Sequence, residues 1–245
     1  MENEYLNPLK LDSSYKNPDK NKIQSFYLSA DFIAYNRYTE NGYHEKINNA
    51  LRTGYSDDIS VQNDILSLDK LFEQIPSIHI PQTDIKVYRG TVLTEELKEI
   101  LNGNSKTDVF TDKAFVSTSK RKDVAEHFAE PFFIRNQDKI LLQITIPKGS
   151  KVIDDEKIPS AFRSKMSNEK EVLLPRNAQF RVLSYDKENK IVDVIYLGQK
   201  QPLEMPQIYQ CSGFDILADI NKATLFNGKN KTPFDKEYNS KNKLY

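Results

Sequence analysis

Residues 167–175 read SNEKEVLLP. Two glutamates, Glu169 and Glu171, stand one residue apart at the mouth of an apolar run. Side chains two apart in a strand share a face, so a strand that begins at Glu171 leans both carboxylates the same way. Like charges that close repel, and a positive or reactive group is expected between or over them. The run EVLLP reads as a short strand closed by Pro175.

Three further strand candidates surround it: KILLQITIP before it (139–147), QFRVLSYD (179–186) and IVDVIYLG (191–198) after it, punctuated by Pro, Gly, Asn and Asp. Upstream, DIKVYRG (84–90) is a strand, TEELKEIL (94–101) a helix with Thr94 as N-cap, and AFVSTS (114–119) a strand end leading into the helix KDVAEHFAE, which Pro131 stops. Before Pro81 the texture is helical. IQSFYLSADFIAYNRY (23–38) carries apolar residues at three- and four-residue spacing. After an interruption at Gly42, YHEKINNALRTG gives a short helix ending at Gly54, and VQNDILSLDKLFEQI gives another before Pro76. The pattern predicts an α+β protein: a helical N-terminal third on a mixed, mostly antiparallel β core. Residues 1–20 read as a flexible arm and 21–198 as one domain, helical over 21–80 and β over 84–198. Residues 199–245 read as a polar extension.

Thirty-five basic and 35 acidic residues cancel, so no global field recruits nucleic acid or an anionic membrane. A single cysteine, Cys211, excludes an internal disulfide. With only His44, His79 and His127 scattered along the chain, there is no zinc signature. The first 20 residues are polar, without the apolar stretch of a signal peptide, and no run of about 18 apolar residues predicts a membrane span.

Three chemistry-bearing features stand at strand ends: Arg89 in VYRG, the hydroxyls Ser117, Thr118 and Ser119 in FVSTS, and the Glu169/Glu171 pair. Singly, each has an ordinary explanation: a surface ion pair, a helix cap (Ser119 above all), a solvated charge run. In this order and together, they resemble the arginine-directed mono-ADP-ribosyltransferase toxins and effectors, of the clostridial binary-toxin type. Those carry an aromatic-Arg strand end, a Ser-Thr-Ser strand and a Glu-x-Glu junction. The segment YTENGYHEKINNAL, with Tyr38, Tyr43 and Asn48, resembles the helix that lies over the cofactor in that family. The similarity runs from about Tyr38 to Leu197.

The resemblance implies two packed sheets and NAD as co-substrate, without a metal. It assigns Arg89, Ser117, Glu169 and Glu171 to catalysis. It places Arg89, Gly90, Tyr38, Tyr43, Asn48, Ser117, Thr118 and Ser119 around NAD. In EPFFIRNQDK (130–139) it implies Phe132 or Phe133 over nicotinamide and Arg135 at the pyrophosphate. The segment IPSAFRSKMSN before Glu169 corresponds to the target-recognition loop. Met166 there stands five residues before Glu171, where many relatives have an aromatic, and Phe162 is the nearest one.

The chemistry is consistent with that assignment. A guanidinium forks two hydrogen bonds onto phosphate. A fixed carboxylate, Glu171 held by Ser117, stabilises the oxocarbenium-like ribose that forms as nicotinamide leaves. Within the family, glutamate two residues before the catalytic one goes with arginine as acceptor, which Glu169 would bind and deprotonate. The implied partner is a protein with an accessible arginine. The implied source is a bacterial effector, toxin or phage enzyme, exported without a cleaved leader and delivered into a host cytosol. An NAD glycohydrolase with water as acceptor, and an inactive binding module on the same fold, are the alternatives.

Overall fold

The computed structural model describes residues 18–40, 42–129, 139–163, 167–201 and 204–208. The single helical pattern over 23–38 is two helices, α1 (Pro18–Tyr27) and α2 (Ala30–Tyr38). The break is local chemistry: Ser29 Oγ accepts from the Phe32 N–H at 3.1 Å and starts a second helix. Helix α3 (Tyr43–Thr53) lies between left-handed glycines, Gly42 at φ 80° and Gly54 at φ 75°. Helix α4 (Ile59–Glu73) is capped by Asp58 and buries Val61, Ile65, Leu68 and Phe72 on one face. These faces share one apolar cluster with Phe115, Ile153 and Leu173 of the β region.

The chain then enters the strands. They are β2 (Ile85–Val92), β3 (Val109–Asp112), β4 (Val116–Ser119), β5 (Lys139–Ile146), β6 (Ile153–Asp154), β7 (Glu171–Leu174), β8 (Ala178–Asp186) and β9 (Ile191–Gln199). Helix α5 (Glu95–Leu101) lies between β2 and β3, with Thr94 Oγ1 accepting from the Leu97 N–H as expected. Helix α6 (Lys122–Ala129) follows β4. A two-residue parallel pair joins β1 (Tyr55–Ser56) to β10 (Gln207–Ile208).

The eight strands from β2 to β9 form one sheet in the order β3-β8-β9-β5-β2-β4-β7-β6. Its pairs are antiparallel except β5 with β9. The mixed, mostly antiparallel α+β expectation is met; two packed sheets are not shown, since among the described residues these eight strands make one continuous ladder. Its middle is thin, since β2 meets β4 at one residue pair, Tyr88 with Ser119, while β2 and β5 pair over eight. A thin join lets the sheet fold over. Val116, Val172 and Leu174 of one end then share an apolar cluster with Val87, Ile144, Phe180 and Val194 of the other.

Buried polar groups tie the layers. Arg176 is 2% exposed, paired with Asp69 of α4 at 2.8 Å, and donates to the Glu204 carbonyl at 2.5 Å. His79 is buried. Its Nδ1 accepts the Asp154 N–H at 3.1 Å, so the neutral ring carries its proton on Nε2, 2.8 Å from the Tyr27 hydroxyl. Burial lowers the His79 pKa to about 4, with the Asp154 charge pulling the other way. The unfolded chain titrates this group near 6.5, so it binds more protons than the folded protein between the two values. The contribution of His79 to stability is therefore full above pH 6.5 and is lost as pH drops towards 4, a difference on the order of 3 kcal/mol. Urea unfolding of wild type and His79→Gln at pH 7.5 and 4.5 checks this. The variant should lose much less stability between the two, and equal losses would contradict it.

Candidate active site

The thin join sets the site. β2 carries Arg89 beside β4, and β4 carries Ser117 beside β7, whose first residue is Glu171; Ser119 pairs with Glu171 across that ladder. Ser117 and Glu171 lie diagonally across the two strands, and Ser117 Oγ donates to Glu171 Oε1 at 2.5 Å. Arg89 Nη1 donates to the Ser117 carbonyl at 2.7 Å, and Nη2 lies 3.9 Å from Asp112 Oδ2. Arg89, Ser117, Glu169 and Glu171 all line one cleft of about 450 Å³, closed on its other side by α2, α3 and α6. No basic side chain hydrogen-bonds the Glu171 carboxylate among the described residues. Burial pushes it up to about 7, against the hydrogen bond from Ser117, with the Glu169 charge adding to the rise. Burial also raises Glu169, with His44 pulling the other way.

The two other hydroxyls of the trio have structural work. Thr118 Oγ1 donates to the Val172 carbonyl at 2.6 Å, stitching β4 to β7. Ser119 Oγ donates to the Glu169 carbonyl at 2.5 Å and accepts the Arg121 N–H at 2.9 Å, just before α6. Both border the cleft, as does Gly90.

On the helical wall, Tyr38 and Asn48 line the cleft. Tyr38 Oη accepts from Asn48 Nδ2 at 3.0 Å and donates to the Phe115 carbonyl at 3.4 Å, so it fastens α2 and α3 to the strand that carries Ser117. The Asn48 Oδ1 atom is buried with no hydrogen-bond partner among the described residues. Tyr43 is a correction. Its hydroxyl donates to Asp64 Oδ2 of α4 at 2.7 Å and its ring packs on the helical core, away from the cleft. Gly42 restarts the helix, and the restart turns Tyr43 to the other side. Phe162, in the segment before Glu169, stacks on Tyr27 at 5.5 Å and packs against the helical core. Phe132, Phe133, Arg135 and Met166 lie outside the described residues.

Arg52 was not anticipated. It lies one helical turn after Asn48, lines the same cleft, and is bound to Asp112 at 3.2 Å, the carboxylate that also faces Arg89. The i, i+4 spacing that puts Asn48 and Arg52 on one face was there to be read. His44 and the exposed Phe128 complete the rim. The cleft lining thus offers two cations, two carboxylates with raised pKa and an amide oxygen that has no partner among the described residues. Among the described residues, no His, Cys, Asp and Glu group is placed to hold a metal.

A model of the ADP-ribosyltransferase exoenzyme family matches residues 14–203. The chain belongs to this family. Among curated proteins none matches. Solved structures of ADP-ribosyltransferases share the fold. The Vis toxin of Vibrio splendidus is 19% identical, with a TM-score of 0.50 over 81% of this chain and 96% of its own. C3stau2 of S. aureus, solved with NAD, is 20% identical, with a TM-score of 0.51 over 74% and 93%. Exoenzyme S of Pseudomonas aeruginosa, solved with human 14-3-3 protein beta and carba-NAD, is 19% identical, with a TM-score of 0.50 over 87% and 94%. This ADP-ribosyltransferase exoenzyme thus sets its Arg, Ser-Thr-Ser and Glu-x-Glu motifs around one cleft, at the fold in its own sheet.

Proposed function

We propose that this exoenzyme transfers ADP-ribose from NAD to an arginine side chain of a target protein and releases nicotinamide. What supports the reading most is the pair Glu169 and Glu171 opening on one cleft with Arg89 and Arg52. Two guanidiniums suit the pyrophosphate of NAD, and the unpartnered Asn48 oxygen suits a ribose hydroxyl or an amide N–H. C3stau2 and exoenzyme S, which share the fold, were solved with NAD and carba-NAD.

In the reaction, the bond from the ribose anomeric carbon to the nicotinamide nitrogen breaks, and its electrons leave with neutral nicotinamide. Glu171, as carboxylate, stabilises the positive charge left on the ribose and hydrogen-bonds its 2′-hydroxyl, while Ser117 orients it. A guanidinium nitrogen of the acceptor attacks the same carbon and loses its proton to Glu169. A guanidinium with pKa above about 12 does not attack unaided, so the second carboxylate has a defined task.

The test is mass spectrometry of host-lysate proteins after incubation with enzyme and NAD, with agmatine as a free guanidinium acceptor in parallel. The expected result is ADP-ribosyl arginine in the lysate and nicotinamide release stimulated by agmatine. Modification confined to asparagine or cysteine, or free ADP-ribose as the sole product, would overturn the arginine reading.

A further inference from the structure

Lys170, between the two carboxylates, has a left-handed backbone with φ 47°, a region that disfavours side chains with a Cβ. Something outside the tripeptide must hold it there. Lys120 Nζ donates to both Asp154 carboxylate oxygens at 2.9 and 2.8 Å and to Glu156 Oε2 at 2.8 Å. Lys170 Nζ lies 3.1 Å from the other oxygen of Glu156. Glu156 therefore clamps one lysine on each oxygen, and hydrogen bonds from Lys120 and then Lys170 hold it below the usual carboxylate range.

The backbone closes the same ring. The Lys120 N–H donates to the Lys170 carbonyl at 3.2 Å, and Arg121 Nη1 to the Asn168 carbonyl at 3.3 Å. The far end is anchored, because Asp154 pairs with Val172 in the β6–β7 ladder and its N–H is bound by buried His79. Lys120, Asp154, Glu156 and Lys170 all stand outside the cleft lining.

The two glutamates depend on this bracket unequally. Glu171 is fixed by the β4–β7 ladder and by Ser117. The Glu169 carboxylate has no side-chain hydrogen bond among the described residues, so its place is set by the backbone of Asn168–Lys170, which the bracket holds. We propose that Lys120 is a positioning residue: through Asp154, Glu156 and Lys170 it fixes the turn that spaces Glu169 from Glu171, and so sets the partition between transfer to an acceptor and hydrolysis of NAD. This rests on the arginine-transfer reading above.

Loss of Lys120 leaves Asp154 without a cation and can unsettle the fold, so Lys120→Met is paired with Glu156→Gln, which frees Lys170 and keeps the Lys120–Asp154 pair, and with the conservative Lys120→Arg. Three quantities are measured: label transferred to agmatine, nicotinamide released without acceptor, and amide exchange at position 120. In Glu156→Gln, transfer should fall about tenfold with hydrolysis changed less than about twofold, as expected when one group is misplaced by a fraction of an ångström. The amide at 120 should exchange about tenfold faster while β2 and β5 keep their protection. Lys120→Met should show the same split, and Lys120→Arg should retain most of both activities. Parallel loss of transfer and hydrolysis in Glu156→Gln, or unchanged exchange at 120, would overturn the proposal. An enzyme whose wild type modifies no arginine would overturn the function above instead, and the exchange measurement would still decide the bracket.

Discussion

Glu171→Gln should lower NAD hydrolysis and ADP-ribose transfer together, by roughly a thousandfold, and at the same time make the protein more stable above pH 7. Both effects come from one property of the site. The carboxyl is half-buried at the cleft, and desolvation there sets its folded pKa at about 7 against 4.5 for the free side chain. Between those values the folded protein keeps a proton that the unfolded chain has lost. The group's contribution to stability is therefore full below pH 4.5 and lost as pH rises through 7, a difference on the order of 3 kcal/mol. A neutral amide of the same shape can still accept from Ser117 and carries none of that cost.

Activity needs the opposite state. Only the ionised carboxylate stabilises the charge developing on ribose, so nicotinamide release should rise with pH along an acid limb with an apparent pKa near 7. Nicotinamide release and urea unfolding of both proteins at pH 5 and 8 check the prediction. Near-wild-type turnover in the variant, or lower stability than wild type at pH 8, would contradict the assignment.

The legible part of this site is the part written in contiguous motifs. Arg89, Ser117 and Glu171 each sit in a short run whose strand character is plain, and the ladder brings those strand ends together. Tyr38 and Asn48 came from the resemblance of YTENGYHEKINNAL to a family helix, and both line the cleft. Tyr43 came from the resemblance alone, and the helix that restarts after Gly42 sets its hydroxyl on Asp64 of α4. The resemblance suggested two sheets because sequence carries no measure of how many residue pairs join β2 to β4, and one pair suffices to make the ladder continuous. Strand β6 escaped notice because it is only two residues long, too short for alternation to show, and β3 because VFTD offers just two adjacent apolar residues before two polar ones. Nothing local marks Arg176 as buried, since Asp69, its partner, is 107 residues away. Lys170 reads as part of a solvated charge run, nothing local marks Lys120, and only the fold sets Glu156 between them.

Glu169→Gln should separate the two halves of the reaction. Glu171 is seated by Ser117 and by the ladder, and neither contact involves the Glu169 side chain. Departure of nicotinamide, which depends on Glu171, should continue in the variant, and its NAD hydrolysis should stay within a few-fold of wild type. Removal of the neighbouring charge also eases ionisation of Glu171, since the Glu169 carboxylate is one of the groups that raise it. The acid limb of hydrolysis should therefore move to lower pH. Attack by a guanidinium is another matter: it must be bound and must lose a proton, and an amide at 169 does neither. Transfer to agmatine or protein arginine should fall by about two to three orders of magnitude, the usual scale for loss of a general base. Water needs no such partner, so the ratio of transfer to hydrolysis is the decisive quantity. Label incorporated into agmatine and nicotinamide released without acceptor, measured on one preparation across pH 5 to 9, give that ratio. Equal loss in both assays would assign Glu169 to the NAD side of the cleft. Undiminished transfer would mean that the acceptor is not a guanidinium, and the arginine specificity would fall while membership of the exoenzyme family stood.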